Sequence, residues 1–76
     1  VTNGVEGVAQ NTADDVIDYA EIRVVFLDVE GVQVGEGLDN VTELAAGRKF
    51  EFDCMFTGDD WSAVSDYEIE ASDSPF

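Results

Sequence analysis

Five aspartates stand in two short clusters that could hold a divalent cation. Asp14, Asp15 and Asp18 follow the first apolar stretch, and Asp59-Asp60 precede the single tryptophan. Carboxylate oxygens brought together from two loops at one end of a fold are the usual cage for Ca²⁺. The Asp-x-Asp-x-Asp-Gly spacing of a dedicated calcium loop is missing, however, and a chain with 18 acidic residues places some side by side without purpose. Paired carboxylates could also cleave a glycosidic bond, but that needs a cleft that fixes their separation and raises one pKa, which a chain of 76 residues has little room to build. Nucleophilic catalysis lacks its base. The chain has no His, its one lysine, Lys49, falls on an outward strand position, and Ser62, Ser65, Ser72 and Ser74 have no visible partner. Cys54 is alone, so it forms no disulfide within the chain, and it alternates with Phe50, Phe52 and Phe56 as a buried, inert thiol would. Gly35-x-Gly37 precedes no helix and is not a phosphate loop. Asn40-Val41-Thr42 has the pattern of a glycosylation acceptor and is expected in a loop, where export would expose it to modification. No catalytic, cofactor-binding or metal-ligating residue is assigned, and the chain is read as a non-enzyme.

These side chains need a scaffold, and its composition is unusual. The 18 acids face only Arg23, Arg48 and Lys49, for a net charge of −15, while 45% of the residues are hydrophobic. That apolar share supports a core, so disorder is rejected. The acids run from Glu6 to Asp73 interleaved with apolar residues, which describes a solvated surface rather than an acidic tail. Repulsion at this density opposes compaction in dilute salt and is screened in concentrated salt, where the Debye length falls to about 3 Å at 1 M. The reading is salt adaptation, as in a haloarchaeon. The competing reading is an acidic domain that meets a cationic partner or Ca²⁺. Nucleic acid is excluded as a direct partner, because no basic face exists for its phosphates. No stretch reaches membrane-spanning length, so direct membrane insertion of this segment is not expected. Since the chain opens on Val1 rather than Met, a preceding segment or a processing step is expected.

The apolar period is two almost throughout, which means strands. Val5, Gly7 and Ala9 share one face of a first strand. A polar loop over 11–15 follows, and Val16 and Ile17 are expected to plug the end of the core. Ile22, Val24 and Phe26 point inward from a second strand over about 19–28. Asp28-Val29-Glu30-Gly31 makes a hairpin turn with positive φ at Gly31. A third strand reaches about Leu38, with Gly35 and Gly37 marking a bulge or an edge. Asp39 and Asn40 break it, and 41–44 forms a short strand or an extended crossing piece. After an Ala45-Ala46-Gly47 turn, 48–56 directs Phe50, Phe52, Cys54 and Phe56 inward. Asp60 caps one helical turn over 61–64. A last strand over 66–71 turns Tyr67 and Ile69 to the core, with fraying over 72–76. The expected fold is one all-β domain over residues 1–76, an immunoglobulin-like antiparallel β-sandwich of six to seven strands with one short helical turn near Trp61. Trp61 is expected to cover the open edge of the core and Tyr67 to tie a strand corner through its hydroxyl. Val25, Leu27, Val29 and Met55, outward by alternation, are the candidate apolar strip for a partner.

The run Val24-Val25-Phe26-Leu27-Asp28, then Gly31, Leu44-Ala45-Ala46-Gly47, Phe52 and Tyr67, resembles the FxLYD domain family, as does the opening Val5-Glu6-Gly7-Val8-Ala9-Gln10-Asn11. The chain departs from the name-giving signature itself, with Val24, Phe26 and Leu27 where the family has Phe, Leu and Tyr. The resemblance spans nearly the whole chain and implies an immunoglobulin-like sandwich without known catalysis, found in bacterial and archaeal surface proteins and lipoproteins. Its matching residues are core and turn positions, so it speaks to fold more than to function. The resulting expectation is a non-catalytic accessory or protein-interaction domain of a halophilic surface or exported protein, with another protein or domain as partner. The alternative is a Ca²⁺-stabilised or ligand-binding domain that uses the acidic loops.

Overall fold

The computed structural model describes residues 3–73. Within them lie five strands, β1 (Gly4–Gln10), β2 (Ile17–Leu27), β3 (Gln33–Leu44), β4 (Lys49–Met55) and β5 (Asp66–Ser72), and a 3₁₀ turn at Trp61–Ala63. All pairings are antiparallel. One sheet has the order β3-β2-β5 and the other is the pair β1-β4. The fold is therefore an all-β, two-sheet arrangement.

Alternation explains the core. Ile22, Val24 and Phe26 of β2 face Phe52 and Cys54 of β4 and are all buried, with Val5, Ala9, Val34, Phe50, Phe56 and Val64 packed around them. Each fully buried side chain of this size contributes roughly 1.5–3 kcal/mol from apolar burial. One end of the core is closed by three aromatic rings. Phe26, Phe56 and Trp61 meet edge to face, with centroids 5.2–5.7 Å apart. The turn that carries Trp61 starts at Asp60, whose Oδ1 accepts from the Ser62 amide at 3.0 Å.

The two sheets are joined along one side. Glu36 of β3 forms an isolated bridge with Thr57 just beyond β4, and the Asp53 amide donates to Asp39 Oδ2 at 2.8 Å. The backbones come so close here that a Cβ on Gly37 would lie 2.5 Å from the Met55 carbonyl oxygen, so only glycine fits. At the β2–β3 turn, Asp28 Oδ1 accepts from the Glu30 and Val32 amides, and Gly31 takes φ 80°.

Several expectations need correction. There are five strands among the described residues, not six or seven, because β3 runs unbroken through Asp39 and Asn40. Those residues pair with Ile22 and Glu21 of an equally long β2, and the continuous ladder overrides their local turn preference. The irregularity expected near Gly35 is present: Phe26 pairs with Gly35 and Leu27 with Gln33, which leaves Val34 as the extra residue on β3, an edge strand of its sheet. Val16 is exposed rather than plugging the core. Ser72 belongs to β5, while the rest of the expected fraying, at 74–76, lies outside the described residues, as does Ser74.

Candidate functional site

The acidic clusters do not converge. Asp14 and Asp15 sit in the loop before β2 and Asp18 is the second residue of β2, all exposed. Asp59 and Asp60 precede Trp61, which packs on Phe26 near the other end of β2. β2 has 11 residues, so the two clusters are separated by roughly 30 Å of strand. Among the described residues no group of three or more His, Cys, Asp or Glu is placed to hold a metal ion. The two-loop cage considered from the sequence is thus not assembled.

Cys54 is fully buried in the core and donates from Sγ to the Ile22 carbonyl at 3.6 Å. Burial, followed by the carboxylates of Asp39 and Asp53, pushes its thiol above the ordinary value, the reverse of what a nucleophile needs. Gly35 and Gly37 serve the close approach of β3 to β4 and not a phosphate. Asn40 is exposed, but in the middle of β3 rather than in the expected loop. Ser62 is tied to Asp60 through its hydroxyl and its amide.

The expected apolar strip is dispersed. Val25 is only 7% exposed, although it lies on the outer face of the three-stranded sheet. Its register partners are Glu36 and Glu68, and Arg23 precedes it on the same face. Long side chains with aliphatic stems cover an apolar residue in such a central position. Leu27 is half-buried, Val29 stands out in the β2–β3 turn, and Met55 belongs to the other sheet. Above Val25, Arg23 clamps three strands. Its Nε and Nη2 donate to Glu36 Oε2 at 3.0 and 2.7 Å, and Nη1 donates to Glu70 Oε1 at 2.7 Å. The hydrogen bonds to Glu36, then those to Glu70, raise the guanidinium above its already high ordinary value.

The apolar surface that does face outward lies on β5. Tyr67, Ile69 and Ala71 are in register with Phe26, Val24 and Ile22, so they point to the core side of their sheet as expected. They are nevertheless exposed, Tyr67 and Ile69 each by 48%. The physical reason is the count of strands. The facing sheet has only two, and β4 is held against β3, so nothing in the second layer reaches across to β5. For the same reason the Tyr67 hydroxyl ties no strand corner among the described residues.

Next to this face is an open groove of about 300 Å³. Its walls include Ala9 of β1, Ile22 of β2, Phe50 of β4 and Ala71 of β5, and its floor is mostly apolar. That volume is at the low end of small-molecule sites. Two carboxylates reach the rim, Glu21 and Asp73. Glu21 accepts a 3.3 Å hydrogen bond from Tyr19, whose phenol is raised first by burial and then by this carboxylate.

One end of the groove is built by a residue that the sequence reading left in a polar loop. Asn11 is 2% exposed. Its Nδ2 donates to the Asp15 and Leu44 carbonyls, both at 2.9 Å, and its Oδ1 accepts from the Ala13 amide at 2.9 Å. Its backbone bonds Arg48 and Gly47. Asn11 therefore fastens the 11–15 loop, the end of β3 and the β3–β4 turn together. The only sequence hint was an asparagine, a residue type that forms Asx turns, three positions before an aspartate pair, which gives no sign of burial.

Comparison with known proteins adds an archaeal relative. The chain is 35% identical over 66 residues to the uncharacterized protein MJ0360 of Methanocaldococcus jannaschii. The matched region is 86% of this chain and 49% of that protein, so the chain spans about half the relative's length. No family model matches the sequence, and no solved structure matches it.

Proposed function

We propose that this chain is a non-catalytic protein-interaction module of a salt-adapted surface or exported protein. The observation that carries the reading is the inner face of β5, where Tyr67 and Ile69 stand half-exposed beside a strand edge that no described strand covers. Apolar groups of this size aligned on an edge strand favour association with another chain. The charge distribution supports the salt-adapted part. Acidic residues occur on all five strands, among them Glu6, Asp18, Asp39, Glu51 and Glu68, and none of these is buried. The resemblance to the FxLYD family supports a place at the cell surface.

The test is a thermal melt followed by circular dichroism in KCl from ~0.05 to ~3 M, the range over which screening changes most. Each point is repeated with millimolar Ca²⁺ or EDTA at constant ionic strength. A melting temperature that climbs steadily with salt and ignores calcium is expected. A sharp rise with calcium alone at low salt overturns the reading in favour of a calcium-stabilised domain.

A further inference from the structure

The free edge of β5 carries two rows of side chains with different chemistry. Toward the groove stand Tyr67, Ile69 and Ala71; on the opposite face stand Asp66, Glu68 and Glu70. β5 ends the order β3-β2-β5, so its far edge pairs with no strand among the described residues. A strand laid along it would place its own side chains on the same two faces, next to these two rows. We infer that β5 accepts, in antiparallel or parallel pairing, an extended segment of a separate polypeptide in which aliphatic residues alternate with Lys or Arg. The aliphatic row covers Tyr67 and Ile69 and enters the groove beside Ala71, Ala9 and Phe50. The basic row lies against Asp66 and Glu68. This deepens the interaction-module reading and rests on it.

The charge pattern decides between occupants. A second copy paired antiparallel through most of its own β5 would set acid opposite acid. Pairing centred on Ile69 places Glu68 opposite Glu70, and pairing centred on Glu68 places it opposite itself, with Asp66 opposite Glu70. Like charges directly opposite destabilise a pair of strands, and each copy brings a net charge of −15 to the encounter. A basic segment reverses both terms. Glu70 is already engaged by Arg23, and Asp66 Oδ1 accepts from the Tyr67 amide at 2.8 Å, which leaves Glu68 and the second oxygen of Asp66 as the acid groups that discriminate. β5 has seven residues, so the complementary segment is also about seven residues long.

The experiment uses a ¹⁵N-labelled chain and three synthetic nonapeptides: alternating Lys-Val, alternating Glu-Val, and a Lys/Val peptide of the same composition with lysines and valines in separate blocks. Amide shifts and hydrogen exchange are followed during titration at ~0.15 M salt, with circular dichroism confirming the fold. The alternating Lys-Val peptide is expected to shift and protect amides of 66–72. The Glu-Val and block peptides are expected to bind at least about tenfold more weakly. The exposed double substitution Asp66→Lys/Glu68→Lys is expected to weaken Lys-Val binding by at least about tenfold while the chain stays folded and the Arg23–Glu70 pair stays in place. Equal binding of all three peptides, shifts confined to other strands, or concentration-dependent protection of 66–72 without peptide, the sign of a second copy, each overturns the inference. None of these outcomes touches the calcium result on which the broader reading stands or falls.

Discussion

Replacing Asn11 by Ala tests the energetic logic of the groove's closed end. The substitution removes three side-chain hydrogen bonds, to the Asp15 and Leu44 carbonyls and from the Ala13 amide. Each such bond contributes about 0.5–1.5 kcal/mol net, and the buried Leu44 carbonyl loses its side-chain donor without gaining water, so the expected loss is about 2–4 kcal/mol. A chain of this size has a total stability on the order of 4–11 kcal/mol. The melting temperature should therefore drop by roughly 10–25 °C. Urea denaturation in concentrated KCl measures the loss directly. The Asn11→Asp variant sharpens the test, since it keeps the acceptor for Ala13 but turns a donor into an oxygen facing two carbonyls. At neutral pH it should be at least as unstable as the Ala variant. Its buried carboxyl will have a pKa raised by folding, so the folded state binds the proton more tightly. Its deficit relative to the parent must then shrink as pH falls through that raised value. A loss below about 0.5 kcal/mol for Asn11→Ala, the scale of an ordinary surface change, refutes the reasoning.

Arg23→Met removes the clamp over β3, β2 and β5. The pairs are one-third to two-thirds exposed, so the loss is small at low ionic strength and shrinks toward zero in molar salt; urea midpoints compared across KCl concentrations check this, and an undiminished loss at high salt counts against an electrostatic origin. The raised thiol of Cys54 links stability to alkaline pH. Unfolding frees a thiol that ionises near its ordinary value of about 8.5, while the folded one keeps its proton, so stability falls as pH rises past that value. Comparison with Cys54→Ala between about pH 7 and 10 should show a steeper alkaline decline for the parent, and parallel profiles defeat the argument.

The local features of this fold are readable in the sequence because short-range physics sets them. The inward rows Ile22-Val24-Phe26 and Phe50-Phe52-Cys54-Phe56 follow from alternation alone, and Gly31, Gly47 and Asp60 mark turns and a cap that their backbone chemistry demands. What escaped the reading depends on which strands face each other. Alternation puts Tyr67 on the core side, and it does lie there, but only the two-strand width of the opposite sheet leaves it exposed. Val25 follows the outward rule and is still buried, since its cover comes from Glu36, Glu68 and Arg23 on three different strands. Asp39 and Asn40 have turn chemistry and yet sit in a strand, because β2 supplies partners along its full length. The burial of Asn11 rests on carbonyls from Asp15 and from Leu44, 33 positions away. The groove is invisible for the same reason, being lined by residues of all five strands.

The seam where β3 meets β4 has a consequence for how this architecture can be enlarged. At Gly37 the two backbones touch, and no strand can be threaded between them or added outside them without breaking the Glu36–Thr57 bridge. The molecule behaves like a book bound at that edge, with β1 and β5 as its loose fore-edges. Extra sheet, whether contributed by another protein or acquired through insertion during descent, can be added only on the unbound side. Lineages that extend this scaffold should therefore vary in what lies beyond β1 and β5 and keep the binding edge as it is.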